Sequence, residues 1–171
     1  MSESAAAPSP AVTGPATSEE HAHAVGRVRR SSFSQLLMLL VQTGLGMGVN
    51  LYVSLPADDQ GKGVMASFGN ALTKGPAAVA AHAGFGLLLF INACMLVVFS
   101  LTVRHTAVRI CSVVGWLCIA GAAVSGATFV NANQNSGNAA SGASLTMALL
   151  TLVAIGCYAV NLFVLSDAKR D

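Results

Sequence analysis

Three stretches without a charged side chain govern what this chain can fold into: residues 31–57, 75–103 and 110–166. At about 1.5 Å rise per residue, roughly 20 apolar residues cross a hydrocarbon layer about 30 Å thick, so an uncharged apolar run of this length reads as a spanning helix. The third stretch holds two such helices. They are divided by Asn131-Ala132-Asn133-Gln134-Asn135-Ser136-Gly137-Asn138, a polar run that hydrocarbon would reject. The pattern therefore predicts four spans, at about 33–55, 76–103, 108–131 and 143–166. Pro56 closes the first and Pro76 opens the second, where a missing N–H is tolerated. A water-soluble helical bundle is excluded by the charge count. Only 9% of residues are charged, against about 25% in a soluble domain, and no candidate helix has a charged face.

The expected fold is thus all-α: a four-transmembrane-helix bundle over residues 31–167, preceded by a disordered cytoplasmic tail over 1–30. Residues 1–26 are rich in Ala, Ser, Pro and Thr without hydrophobic period, too little apolar area to offset chain entropy. The first apolar stretch exceeds a signal-peptide core and lacks a small-residue cleavage pattern, so it is expected to be retained as a span. Orientation follows from basic residues. Arg27, Arg29, Arg30, Arg104, Arg109, Lys169 and Arg170 fall on one side, and only Lys62 and Lys74 on the other. The positive-inside bias predicts both termini in the cytoplasm and a multi-pass protein of the plasma membrane. In the loop between the first two spans, Val64, Met65, Phe68 and Leu72 recur at helical spacing behind Asp58 and Asp59 as possible caps. A short interfacial or capping helix and an irregular loop both fit.

Helices in lipid associate through close packing and hydrogen bonds, since lipid tails are as apolar as Leu. Small-xxx-small pairs occur at Gly44/Gly48, Ala80/Gly84 and Gly121/Ser125. They are expected to mark intramolecular helix contacts, with a homodimer face as the alternative. By depth along the helices, Asn50, His82, Thr128 and Thr146 form one expected polar layer, and Asn92, Tyr158 and Asn161 a second.

His82 is the ionisable side chain of the spans once Tyr and Cys are set aside, and such groups are functional candidates by default. It offers a contact for a haem or a quinone, or a step in a proton relay. His105, at the opposite membrane face, cannot share its iron, and no Asp or Glu falls in a span. A neutral hydrogen-bonded histidine is the favoured reading. Cys111 and Cys118, two turns apart, are about 10 Å from each other, too far to chelate one ion alone. All four cysteines fall within predicted spans, which argues against a disulfide framework. His21-x-His23 is a weak metal pattern in the tail. The sequence holds no phosphate loop, nucleophile elbow, HExxH or paired carboxylates, so no catalytic residue is assigned. The net charge of +2 gives no reason to expect nucleic acid as a partner.

The run from Gly44 to Pro56 (Gly-Leu-Gly-Met-Gly-Val-Asn-Leu-Tyr-Val-Ser-Leu-Pro) resembles a family of small, uncharacterised four-helix membrane proteins from high-GC Gram-positive bacteria. So do Ala80-Ala81-His82-Ala83-Gly84 and the Asn-rich turn followed by Ser144-Leu145-Thr146-Met147-Ala148-Leu149-Leu150 and Cys157-Tyr158. The likeness covers about residues 35–165. It implies a plasma-membrane location and supports four spans, but carries over no catalytic residues. The favoured expectation is a non-enzymatic accessory or structural subunit of a membrane complex, with the bilayer and a larger complex or a homo-oligomer as partners. A redox subunit using His82 and a small dimeric transporter are the alternatives.

Overall fold

The computed structural model describes residues 15–53, 63–131 and 138–167. Among these residues there are five α-helices and no strands: α1 Pro15–Tyr52, α2 Val64–Thr73, α3 Ala77–Thr102, α4 Thr106–Asn131 and α5 Asn138–Asp167. Helices α1, α3, α4 and α5 are long and apolar enough to cross a membrane. The last three coincide with the expected spans within a few residues at either end. The main contacts join α1 to α3, α3 to α4, α4 to α5 and α5 back to α1.

The first helix departs most from the sequence reading. Residues 15–30, assigned by composition to an unstructured tail, are the opening turns of α1. Tertiary contact is the physical reason: Ala24, Val25 and fully buried Val28 join the same apolar cluster as Val103, Val108 and Leu165. A local reading of composition cannot see burial supplied from residues about 75 to 140 positions away (Val28 to Val103 and to Leu165). Residues 1–14, Asp58, Asp59, Lys62, Lys169 and Arg170 lie outside the described residues.

Every long helix buries one narrow stripe with the same period. The stripe runs through 28, 32, 35 and 39 on α1, 89, 93, 96 and 100 on α3 with 103 just past its end, 108, 112, 115 and 119 on α4, and 154, 158, 161 and 165 on α5; positions 79 and 83 of α3 and 118 and 127 of α4 are buried as well. Steps of four and three make a seven-residue repeat, which suits helices packed side chain into hole at shallow crossing angles. Ser, Gln, Gly and Asn occupy many of these positions. The outward faces carry large apolar side chains such as Leu40, Leu51, Val98, Leu101, Leu152 and Phe163. That distribution suits a lipid surround.

Glycines set two of the contacts. A Cβ at Gly115 on α4 would stand 2.7 Å from Cζ of Tyr158, whose ring lies across this position from α5. A Cβ at Gly121 would meet Leu150 at 3.0 Å. Gly44 and Gly48 behave differently: nothing lies within 4 Å of a Cβ at either, so this pair faces outward instead of packing inside the chain as expected.

Between the first two spans, the helical alternative is the one observed. Gly63, with a left-handed φ of 85°, stands at the N-cap of α2, and no side chain caps it. Ala71 of α2 packs with Val79 and Ala83 of α3, flanked by Val49 of α1 and by Val53 just past its end. At the opposite end, the short link from α3 to α4 is held by Arg109. Its Nε donates to Val103 O and its Nη2 to Leu101 O, both at 3.0 Å. A cation there satisfies terminal carbonyls and meets the negative end of the helix dipole.

Gly115→Ala is expected to destabilise the folded protein by about 1–3 kcal/mol, because Tyr158 has no room to yield. Tyr158→Phe should fall within about 0.5 kcal/mol of wild type, since the buried hydroxyl has no hydrogen-bond partner. Reversible unfolding in mixed micelles, followed by circular dichroism, reads both; an unaffected Gly115→Ala would rule out the described α4–α5 contact.

Candidate functional site

The polar side chains that bond between the long helices fall into two groups, one of them at the interface of α1 with α3. Gln35 of α1 is fully buried. Its Nε2 donates to Leu89 O at 3.1 Å, and its Oε1 accepts from Nδ2 of Asn92. Seven residues on, Gln42 Nε2 donates to His82 O at 3.1 Å and lies 3.3 Å from His82 Nε2. Leu89 and His82 are also seven apart. The two glutamines therefore make the same bond to an antiparallel helix twice, one heptad apart, each reaching for one further side chain.

The second rung fixes the tautomer of His82. A carbonyl oxygen only accepts, so the amino end of the Gln42 amide faces it, and the same nitrogen must donate to His82 Nε2. Nε2 is then an acceptor and the ring proton is on Nδ1. Glycines make this possible on both helices. A Cβ at Gly86 would come within 3.0 Å of Gln42 Nε2, and one at Gly46 within 3.0 Å of His82 Cε1. His82 Nδ1 and Gln42 Oε1 remain buried without a partner.

A haem does not fit this arrangement. Nε2 is engaged by Gln42 and Nδ1 is buried in the helix interface, so neither nitrogen is presented openly to an iron. A quinone oxygen would need the Nδ1 proton, and that atom is buried. Among the described residues, no group of three or more His, Cys, Asp or Glu gathers to hold a metal.

The second group joins α4 to its neighbours. Asn161 Nδ2 donates to Ser112 Oγ at 3.0 Å, with both residues fully buried. Ser125 Oγ donates to Ala143 O at 3.2 Å, the contact expected of the Gly121/Ser125 pair. Trp116 Nε1 donates to Cys94 Sγ at 3.1 Å and its ring stacks at a tilt on Phe90, 6.0 Å between centroids. Ser32 Oγ, Tyr158 OH and Asn161 Oδ1 are buried with no partner.

Of the residues singled out in the sequence, His82, Asn92, Tyr158 and Asn161 point into helix interfaces. Asn50 is exposed, as are Thr128 and Thr146, so these three do not join His82 in a layer. Thr128 spends its hydroxyl on Val124 O of its own helix. Gln35 and Ser112 were missed by the sequence reading. A signal for Gln35 was present in its seven-residue spacing from Gln42, while Ser112 has none, because a serine in a span pairs equally well with its own backbone.

No protein-family model, curated protein or solved structure matches this chain.

Because Gln35 and Asn92 satisfy each other, removing one should cost more than removing both. Gln35→Leu is expected to destabilise by about 1 kcal/mol, and Gln35→Leu with Asn92→Leu to recover part of that loss. A double-mutant cycle on the unfolding equilibrium checks it; a double variant as damaged as the sum of the singles would refute the pairing.

Proposed function

We propose that this protein is a plasma-membrane, four-helix bundle with both termini cytoplasmic, serving as a non-enzymatic accessory or structural subunit of a larger membrane complex. The observation that carries the reading is the use made of intramembrane polar groups. Gln35, Asn92, Gln42, His82, Ser112 and Asn161 bond one helix to the next, a structural use of polarity in lipid. His82, the strongest candidate for chemistry, is packed as part of a helix clamp. Arg27, Arg29, Arg30, Arg104 and Arg109 fall on one side by the sequence and support the cytoplasmic assignment through the positive-inside bias. The likeness to small, uncharacterised four-helix membrane proteins from high-GC Gram-positive bacteria supports the plasma membrane as the location. Large apolar side chains on the outward faces supply surface for a partner's helices.

Two measurements test the proposal. A cysteine added at the C-terminus should resist membrane-impermeant thiol reagents in intact cells and react after lysis; labelling from outside would reverse the topology. Cross-linking in intact membranes, followed by purification in mild detergent and mass spectrometry, should recover a defined integral membrane partner at constant ratio. Recovery of the chain alone, with a visible or quinone-type absorption spectrum lost in His82→Ala, would replace the accessory role by a redox one.

A further inference from the structure

The two glutamine rungs fix how far α1 is shifted along α3, and the shift leaves arginines in an unexpected place. Gln35 bonds to Leu89 O and Gln42 to His82 O, with the helices antiparallel. From Gln35 to Arg30 is five residues, or about 7.5 Å toward the arginine end, while from Leu89 to the last residue of α3, Thr102, is thirteen, or about 20 Å. The Cα of Arg30 is thus roughly 12 Å short of the end of α3. The second rung gives the same answer, about 18 Å from Gln42 to Arg30 against about 30 Å from His82 to Thr102. That exceeds the reach of an extended arginine side chain. Arg27, on the same reckoning, is about 8 Å short. An independent contact agrees with it: its Cζ stands 5.3 Å over the ring of Phe99, still within α3.

α3 has 26 residues, about 39 Å, and so outruns a hydrocarbon layer of about 30 Å; both arginines then stand near the headgroup edge of a bilayer, where a cation takes an anionic partner or water. Along α1 itself no carboxylate stands beside them: between Glu20 and Asp58 there is neither Asp nor Glu. On the exposed side of α1, His23, Gly26, Arg27, Arg30 and Ser31 line one groove, and nothing lies within 4 Å of a Cβ at Gly26. The groove therefore has two guanidinium groups, a hydroxyl and an open floor, with Arg27 steadied by Phe99.

We propose that this groove binds the phosphate of an anionic phospholipid, seated over Gly26 between Arg27 and Arg30. Guanidinium forks match phosphate oxygens in geometry and charge. A lipid is the source because the arginines lie inside the end of α3, where a headgroup is drawn in with its own acyl chains alongside α1. The inference rests on these helices spanning a bilayer, but not on which side the termini occupy.

Native mass spectrometry of the full chain in detergent, with phosphatidylglycerol or phosphatidylcholine of equal chain length, tests the site. Phosphatidylglycerol should be retained at least about fivefold more than phosphatidylcholine, and excess inorganic phosphate should not displace it. Arg27→Ala with Arg30→Ala should abolish the preference, and Arg29→Ala should leave most of it. Gly26→Leu, which keeps every charge and points into open space, should also abolish it and covers the case in which the double alanine variant does not fold. Equal retention of both lipids, displacement by inorganic phosphate, or wild-type binding by Gly26→Leu would each overturn the site. Reversed topology in the cysteine experiment would leave these outcomes unchanged, so the two failures are distinguishable.

Discussion

A side-chain amide in hydrocarbon has no water to turn to, and its bonding needs can be met only by another helix or by its own backbone. The α1–α3 interface is organised around that constraint. Gln35 and Gln42 each reach an α3 carbonyl, and the equal spacing on both helices fixes their register to a single value. Slipping α1 by one turn would strand both amides at once. The glycines at positions 46 and 86 are part of the same device, since a methyl group at either would crowd the side chain that makes the second rung.

The interface of α4 with α5 solves the same problem by shape. Tyr158 lies across Gly115, and Asn161 bonds to Ser112 one turn away. Here the aromatic ring does the registering and the polar contact is a supplement. The Tyr158 hydroxyl finds no partner. Size accounts for the residue at this position, and the polar atom is carried as a cost.

The existence and limits of the spanning helices could be read from the chain because hydrocarbon excludes charge. The charge-free stretches 75–103 and 110–166, with the Asn-rich divider, place α3, α4 and α5 to within a few residues. Which face of each helix turns inward could not be read in the same way. In water the buried face is the apolar one, whereas here lipid-facing Leu and core-facing Leu are the same residue under the same selection. The seven-residue stripe emerges only once the helices are placed, because Ser32, Gln35, Gly115 and Asn161 interrupt it with small or polar types. His82, Asn92, Tyr158 and Asn161 were found by their rarity in apolar sequence, a signal that works in either environment. Asn50 was picked out by the same signal and faces outward, which shows that rarity marks candidates without giving direction. The start of α1 was hidden for a different reason: its first turns depend on Val103, Val108 and Leu165, and composition is blind to distant burial.

The arginine joint between α3 and α4 bears on the order in which the chain assembles. Arg109 meets carbonyls only six and eight residues behind it, whereas the amides of α1 bond to partners 40 to 57 residues ahead. During synthesis the elbow can close as soon as Arg109 emerges. The first helix has to wait longer, its two glutamines unserved until α3, which carries residues 82, 89 and 92, has been made. Its residence in lipid before that moment is the least secure stage of the protein's life, and any factor that shelters a half-polar helix during insertion would act there.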